Sequence, residues 1–102
     1  MIDIITKIEK QIKENKTIIY IKGTPDNPMC GFSAQAINIL NELNIKYKYI
    51  DILENDDIRK NLPKYSNWPT FPQLFHNNKL IGGADIMSEL YKSNKLIDIL
   101  SK

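Results

Sequence analysis

The stretch TIIYIKGTPDNPMC, residues 17–30, combines a short apolar run with a loop that leads to the only cysteine of the chain. Residues 17–21 are apolar and mostly β-branched, which predicts a strand buried on both faces of a sheet. A glycine and two prolines in residues 22–28 indicate a loop. From Cys30 onward apolar residues recur with the period of a helix, and Asn44 is a plausible stop.

The segments on either side of this stretch complete a βαβ unit behind a first helix. Ile5, Ile8 and Ile12 recur at three- and four-residue spacing between charged residues, which predicts an amphipathic helix that covers the core. Residues 46–52 alternate as a second strand. Because a whole helix separates it from the first strand, the two strands are expected to pair in parallel.

The C-terminal half is predicted to add a short helix and a hairpin. Residues 56–62 have a helical pattern that Pro63 limits. Residues 73–76 and 79–81 flank the pair Asn77-Asn78, which suits a two-residue turn with positive φ, and therefore predict a β-hairpin.

The chain is predicted to end in a helical segment. Gly82-Gly83 turns the chain, and residues 84–100 are helical with an interruption near Ser93-Asn94. The element order α-β-α-β-α-β-β-α predicts an α/β fold with a four-stranded mixed β-sheet flanked by helices. Length and composition predict a single domain over residues 1–102.

Composition excludes several classes of function. Fourteen Lys and Arg stand against twelve Asp and Glu, a net charge of +2. This small, scattered surplus does not make a nucleic-acid-binding surface, and no apolar run is long enough to span a membrane. The N-terminus lacks the pattern of a signal peptide, and one cysteine cannot form an internal disulfide. We therefore expect a cytoplasmic, reducing setting.

Cys30 is the residue most strongly marked for chemistry. A cysteine at the start of a helix, after a loop, is expected to have a lowered pKa because free backbone N–H groups and the helix dipole favour the thiolate. Lys22, at the other end of the loop, adds a positive charge. Ser33 stands where a C-x-x-C redox pair would have its second cysteine. The alternative is that Cys30 is an inert, buried apolar side chain.

His76 is the only histidine and the obvious candidate partner for a Cys–His pair. Because it lies next to the predicted hairpin turn, we expect it to face solvent and to take no part in the site.

Three motifs together resemble a known family. CGFS at residues 30–33, preceded by KGTP at 22–25, is similar to the signature of the monothiol glutaredoxins. WPTFPQ at 68–73 and GGAD at 82–85 stand where that family has its other two site motifs. The resemblance covers essentially the full chain and is greatest to the short, single-domain bacterial type. It implies a thioredoxin fold and a site for glutathione.

The resemblance also implies roles for individual residues along the central motif. The bond before Pro72 is the expected cis peptide, which would leave the backbone N–H and C=O of Phe71 free to pair with a peptide ligand like an added strand. Trp68 is better interpreted as a core aromatic residue.

The remaining implied glutathione ligands are two cations and one helix start. Arg59 is the only arginine beside thirteen lysines, and its planar guanidinium suits a carboxylate; with Lys22 it matches the family's site for the glycyl end of glutathione. Backbone N–H groups at Ala84 and Asp85 would receive the γ-glutamyl carboxylate. Asp85 is expected to cap the helix, to contact the ligand's ammonium group, or both. Ala84 occupies a position where relatives often have a second cysteine.

The resemblance implies a 2Fe-2S cluster as well. Such a cluster takes four thiolate ligands, and each chain provides one, Cys30. Two chains and two glutathione molecules would complete the set, which implies a glutathione-bridged homodimer with one cluster.

Three functions follow from these observations. The first is iron–sulfur cluster assembly or transfer, with apo iron–sulfur proteins and BolA-type proteins as partners, as in relatives. The second is a glutathione-dependent thiol–disulfide oxidoreductase, although the five-residue loop 24–28 argues against efficient turnover. Whether the protein is an enzyme therefore stays open. The third is an interaction module in which Cys30 is inert.

Overall fold

A computed structural model describes residues 3–102. Its elements are α1 (Ile4–Glu14), β1 (Thr17–Ile21), α2 (Gly31–Glu42), β2 (Lys48–Asp51), α3 (Asp56–Ser66), β3 (Gln73–His76), β4 (Lys79–Gly82), α4 (Ala84–Lys92) and α5 (Leu96–Leu100). This is the predicted order, including the interruption that separates α4 from α5. None of the helices within residues 3–102 has the length and apolarity that crossing a bilayer requires.

The four strands form one mixed sheet in the order β2-β1-β3-β4. β1 pairs in parallel with β2 and antiparallel with β3, and β3 pairs antiparallel with β4. All five residues of β1 are buried, which confirms the prediction of a strand covered on both faces. The hairpin turn is also confirmed, since Asn77 and Asn78 have φ angles of 49° and 70°.

The helices cover the sheet on both sides, so the chain has two apolar layers. α1 and α3 pack on one face, where the buried side chains are Ile8, Ile12, Ile18, Tyr20, Ile52, Ile58, Leu62 and Phe75. α2, α4 and α5 pack on the other face, where the buried side chains are Ile19, Ile21, Ala36, Ile37, Ile39, Leu40, Leu74, Met87, Leu96 and Leu100.

α3 is longer than predicted, because it continues through Pro63 to Ser66. A proline lacks the N–H that would bond one turn back, yet the helix continues with Ile58 and Leu62 buried in the core. The helix ends at Asn67, a left-handed residue whose N–H donates to the carbonyl of Pro63. The expectation that Pro63 limits the helix is therefore wrong, and the extra turn brings Pro63 to the edge of the cleft described below.

His76 is buried, with 3% of its surface exposed, so the expectation that it faces solvent is wrong. It lies on a central strand that helices cover on both faces, and it is the register partner of Thr17. Its Nδ1 lies 2.7 Å from Thr17 Oγ1, within hydrogen-bond distance. Although His76 lies beside a turn, the neighbouring strand β1 and the helices on the sheet bury its side chain.

The burial of His76 predicts loss of stability in mild acid. Burial, with a smaller effect from the charge of Lys16, lowers the pKa of His76. Below about pH 6.5 the unfolded chain therefore binds a proton that the folded chain does not, so the free energy of unfolding falls as the pH drops through this window. Urea unfolding at pH 7.5 and pH 5.5 should show this loss, and His76→Gln should reduce it. An equal loss in the variant would contradict the assignment.

Candidate functional site

One cleft of about 640 Å³ lies where the β1–α2 loop, the segment before β3, and helices α3 and α4 meet. Because β1 and β3 are antiparallel, with Tyr20 opposite Gln73, the end of β1 lies beside the start of β3. The cleft contains all the residues proposed from the sequence as ligands or reactive groups, namely Lys22, Cys30, Arg59, Phe71, Ala84 and Asp85.

Cys30 is a free, partly exposed cysteine at the N-cap of α2. The backbone N–H of Ser33 lowers the pKa of its thiol, and the N–H of Phe32, the charge of Lys22 and the Ser33 hydroxyl lower it further, while burial acts in the opposite direction. A free N–H at a helix start stabilises a thiolate because it faces the sulfur with no other partner. The direction is the one predicted, with Lys22 as a smaller contributor than the helix backbone.

The loop before Cys30 is held at its base by three hydrogen bonds. The N–H of Gly23 donates to Asp51 Oδ1 at 2.9 Å, and the N–H of Met29 donates to the carbonyl of Lys22 at 2.9 Å. The N–H of Lys22 donates to Ser33 Oγ at 3.1 Å. Ser33 is fully buried and therefore joins the first turn of α2 to the end of β1.

The peptide bond between Phe71 and Pro72 is cis, as the resemblance implied. Within residues 3–102 the backbone N–H and C=O of Phe71 have no hydrogen-bond partner. Phe71 lines the same cleft as Cys30. The arrangement leaves one donor and one acceptor free for an extended peptide.

Two cationic side chains, Lys22 and Arg59, line the cleft. Arg59 is exposed on α3, and in the described part of the chain it takes part in no salt bridge. Its guanidinium is therefore available to a carboxylate, which it can hold with two parallel hydrogen bonds.

The start of α4 forms the opposite wall of the cleft. Gly83 is the N-cap, and no side chain of the described residues caps the helix. The expectation that Asp85 caps it is wrong, because Asp85 lies inside the first turn with its side chain exposed. Ala84 is buried with 6% exposure and lines the cleft. The free N–H groups of this first turn can donate hydrogen bonds to an anion.

Trp68 belongs to the cleft, so its interpretation as a core residue is wrong. The side chain is only half-buried and lines the wall between α3 and α4. Gly83 makes room for it, since a Cβ added there would lie 3.3 Å from Trp68 Nε1. The proline on each side of residues 70–71 was a signal for an irregular wall here, because proline cannot continue a sheet.

The lowered pKa of Cys30 predicts thiol reactivity at neutral pH. Because the folded protein favours the thiolate, the pH midpoint of iodoacetamide alkylation should be lower for the folded protein than for the unfolded chain. The unfolded chain is measured in about 8 M urea, which removes the helix start that lowers the pKa. Lys22→Gln should raise the folded-state midpoint only slightly, since backbone N–H groups contribute most. Equal midpoints in folded and unfolded protein would favour an inert Cys30.

Comparisons with known proteins agree with this geometry. The glutaredoxin family model matches residues 17–81. The chain is 54% identical to glutaredoxin 4 of Buchnera aphidicola subsp. Baizongia pistaciae (strain Bp) over 101 residues, which cover 99% of this chain and 94% of that protein. It is 49% identical to glutaredoxin 4 of Escherichia coli (strain K12) over 98 residues, which cover 96% of this chain and 85% of that protein.

A solved structure extends the similarity to three dimensions. The solution structure of reduced apo GrxS14 from poplar superposes with a TM-score of 0.78 at 43% identity, over 91% of this chain and 85% of that chain. Glutaredoxins have the thioredoxin fold, which the four-stranded mixed sheet and its flanking helices reproduce. With CGFS at residues 30–33 and no second cysteine in its sequence, the chain belongs to the glutaredoxin family as a monothiol member similar to the short bacterial glutaredoxin 4 proteins.

Proposed function

We propose that this glutaredoxin binds glutathione in the cleft and carries a 2Fe-2S cluster for delivery to apo iron–sulfur proteins in the cytoplasm. Glutathione is an extended peptide with a carboxylate at each end, and the cleft offers complementary groups. Lys22 and Arg59 would bind the glycyl carboxylate, and the free backbone of Phe71 would pair with the cysteinyl residue. The first-turn N–H groups at Ala84 and Asp85 would bind the γ-glutamyl carboxylate.

The cluster is cargo that two chains would share. A 2Fe-2S cluster takes four thiolates, and each chain has one cysteine. Residues 3–102 also contain no group of three or more His, Cys, Asp or Glu side chains placed to hold a metal ion. Two Cys30 thiolates and two glutathione thiolates would make up the four ligands of a homodimer. Because half of these ligands are exchangeable small molecules, such a site suits transfer of the cluster rather than storage.

The observation that carries the proposal is the placement of Cys30 at the rim of an open cleft. The thiol is accessible, its pKa is lowered by the helix backbone, and both cations line the same cleft. The family resemblance also implies BolA-type proteins as partners, and we propose that they would bind the exposed face around this thiol.

Anaerobic reconstitution tests the proposal. Purified protein is incubated with ferric iron and sulfide, with and without glutathione, and its visible absorption and native mass are measured. We expect cluster absorption and a dimer mass that includes two glutathione molecules, both only when glutathione is present. Cluster binding by a monomer, or equal binding without glutathione, would contradict the glutathione-bridged dimer.

A second candidate function uses the same thiolate as a nucleophile. Cys30 would attack the glutathione sulfur of a mixed disulfide and release the substrate thiolate. A second glutathione thiolate would then attack the Cys30–glutathione disulfide, releasing oxidised glutathione and restoring Cys30. The lowered pKa and accessibility of Cys30 favour this reaction. Rapid turnover in a glutathione-coupled disulfide assay would make it the leading function.

A further inference from the structure

One fully buried polar side chain, Gln73, lies directly behind the wall of the cleft. It follows Pro72 and begins β3. Its Nε2 donates two hydrogen bonds, one to the carbonyl of Trp68 at 2.9 Å and one to the carbonyl of Thr70 at 3.1 Å. Both acceptors belong to residues that line the cleft. One amide group therefore fixes two points of the wall.

Few other hydrogen bonds hold this wall. The N–H of Trp68 donates to the carbonyl of Pro63 at 3.2 Å. Among residues 3–102, the segment 69–72 has no backbone–backbone hydrogen bond, and Gln73 forms the only side-chain hydrogen bond to it. Three prolines in residues 63–72 remove donors that could replace these bonds. The shape of the segment therefore depends on the amide of Gln73.

Trp68 extends this restraint to the start of α4. In the part of the chain that the structure describes, its buried indole Nε1 has no hydrogen-bond partner. A Cβ added at Gly83 would lie 3.3 Å from this atom and 3.2 Å from the carbonyl oxygen of Pro72. The indole and the Pro72 carbonyl therefore leave no room for a side chain at the N-cap of α4. A shift of the Trp68 carbonyl would also move the indole ring. The distance between segment 68–72 and the start of α4 would then change.

The unpaired oxygen of Gln73 indicates that the residue does more than stabilise the fold. Its Oε1 is buried and has no hydrogen-bond partner among residues 3–102. A buried polar atom without a partner costs stability, and an apolar side chain of equal length would avoid that cost. We therefore interpret the two N–H groups of the amide, which bind the carbonyls of Trp68 and Thr70, as the functional part of this side chain.

We propose that Gln73 is a positioning residue for glutathione, acting through the carbonyls of Trp68 and Thr70 to hold the wall that contains Phe71. The inference rests on the proposed function, since it assumes that glutathione occupies the cleft. Gln73 itself does not line the cleft.

Gln73→Met tests the proposal, because methionine has the same length and no N–H. Two quantities are measured on folded protein under reducing conditions: the glutathione dissociation constant by calorimetry, and the fluorescence emission maximum of Trp68, the only tryptophan. We expect the dissociation constant to rise roughly tenfold, because small displacements of binding groups weaken an oriented complex strongly. We expect the emission maximum to move to longer wavelength as the indole becomes more exposed.

Thr17→Val is the matched control at the other end of the same strand pair. It removes the buried Thr17–His76 hydrogen bond of 2.7 Å, far along β3 from Gln73. The control should lower the melting temperature and leave both the glutathione dissociation constant and the Trp68 emission unchanged. Gln73→Leu, which also lacks the amide and carries no buried polar atom, is the second variant if Gln73→Met does not fold.

The outcomes separate this inference from the proposed function. If wild-type protein binds glutathione and the folded Gln73 variants bind it equally well, the positioning role is wrong and the proposed function stands. If wild-type protein does not bind glutathione, the proposed ligand is wrong, and with it the inference. Weaker binding with shifted emission in the Gln73 variants, and neither change in Thr17→Val, would support the positioning role.

Discussion

Cys30→Ser is expected to abolish cluster binding in the anaerobic reconstitution and to leave the free energy of unfolding within about 0.5 kcal/mol of wild type. The sulfur is the only thiolate that the chain can offer an iron atom, and thiolates are the usual ligands of a 2Fe-2S cluster. Stability should be preserved because Cys30 is partly exposed at an N-cap, where serine is a favourable residue.

A relocated thiol is the matched control for this prediction. Ser93→Cys in the Cys30→Ser background restores one cysteine per chain on an exposed residue at the end of α4. Because that thiol lies outside the cleft, cluster absorption should stay absent. A visible cluster in Cys30→Ser, with or without the relocated thiol, would defeat the proposal that Cys30 is the ligand.

Gly23→Ala is expected to destabilise the fold by about 2–4 kcal/mol, the upper range for a single substitution that strains the backbone. Gly23 has φ of +94°, and a Cβ there would lie 2.5 Å from the carbonyl oxygen of Asn27 and 2.8 Å from the N of Met29. Both neighbours are backbone atoms, so the loop that leads to Cys30 would have to move. Glutathione binding should weaken in the fraction that stays folded.

Gly31→Ala is the control within the same region. Gly31 lies one residue after Cys30 in the first turn of α2, and a Cβ there would have nothing within 4 Å. Alanine also favours a helix over glycine, so stability should be equal or higher. Urea unfolding of both variants measures the difference. Similar stability of Gly23→Ala and wild type would mean that the loop adapts without strain.

Local sequence patterns predicted most of the fold. The apolar run in β1, the helical period after Cys30 and the Asn77-Asn78 turn each gave the right element, because strand, helix and turn preferences act within a few residues. The prediction that Pro63 ends α3 was wrong because it considered only the local helix-breaking preference of proline. The tertiary packing of Ile58 and Leu62 outweighs that preference. Parallel pairing of β1 and β2 followed from the length of the connection.

The sequence predicted which residues belong to the candidate site better than it predicted the contacts between them. Lys22 and Ala84 were assigned to the site from motifs and Arg59 as the only arginine, and the structure brings all three to the cleft of Cys30. Trp68 and Gln73 were quoted in the WPTFPQ motif, but Trp68 was interpreted as a core residue and Gln73 was given no individual role. Their roles depend on hydrogen bonds to the irregular segment 68–70 and on close contact with Gly83, which no local pattern reveals.

The sequence by itself determined the element order, the single thiol and the helix start that activates it, since these depend on neighbours along the chain. Only the tertiary structure decided that His76 is buried, that Asp85 lies inside a helix turn without capping it, and that Gln73 stands behind the cleft. Burial and hydrogen-bond partners depend on segments distant in sequence, which the antiparallel pairing of β1 with β3 and the packing of α4 bring together.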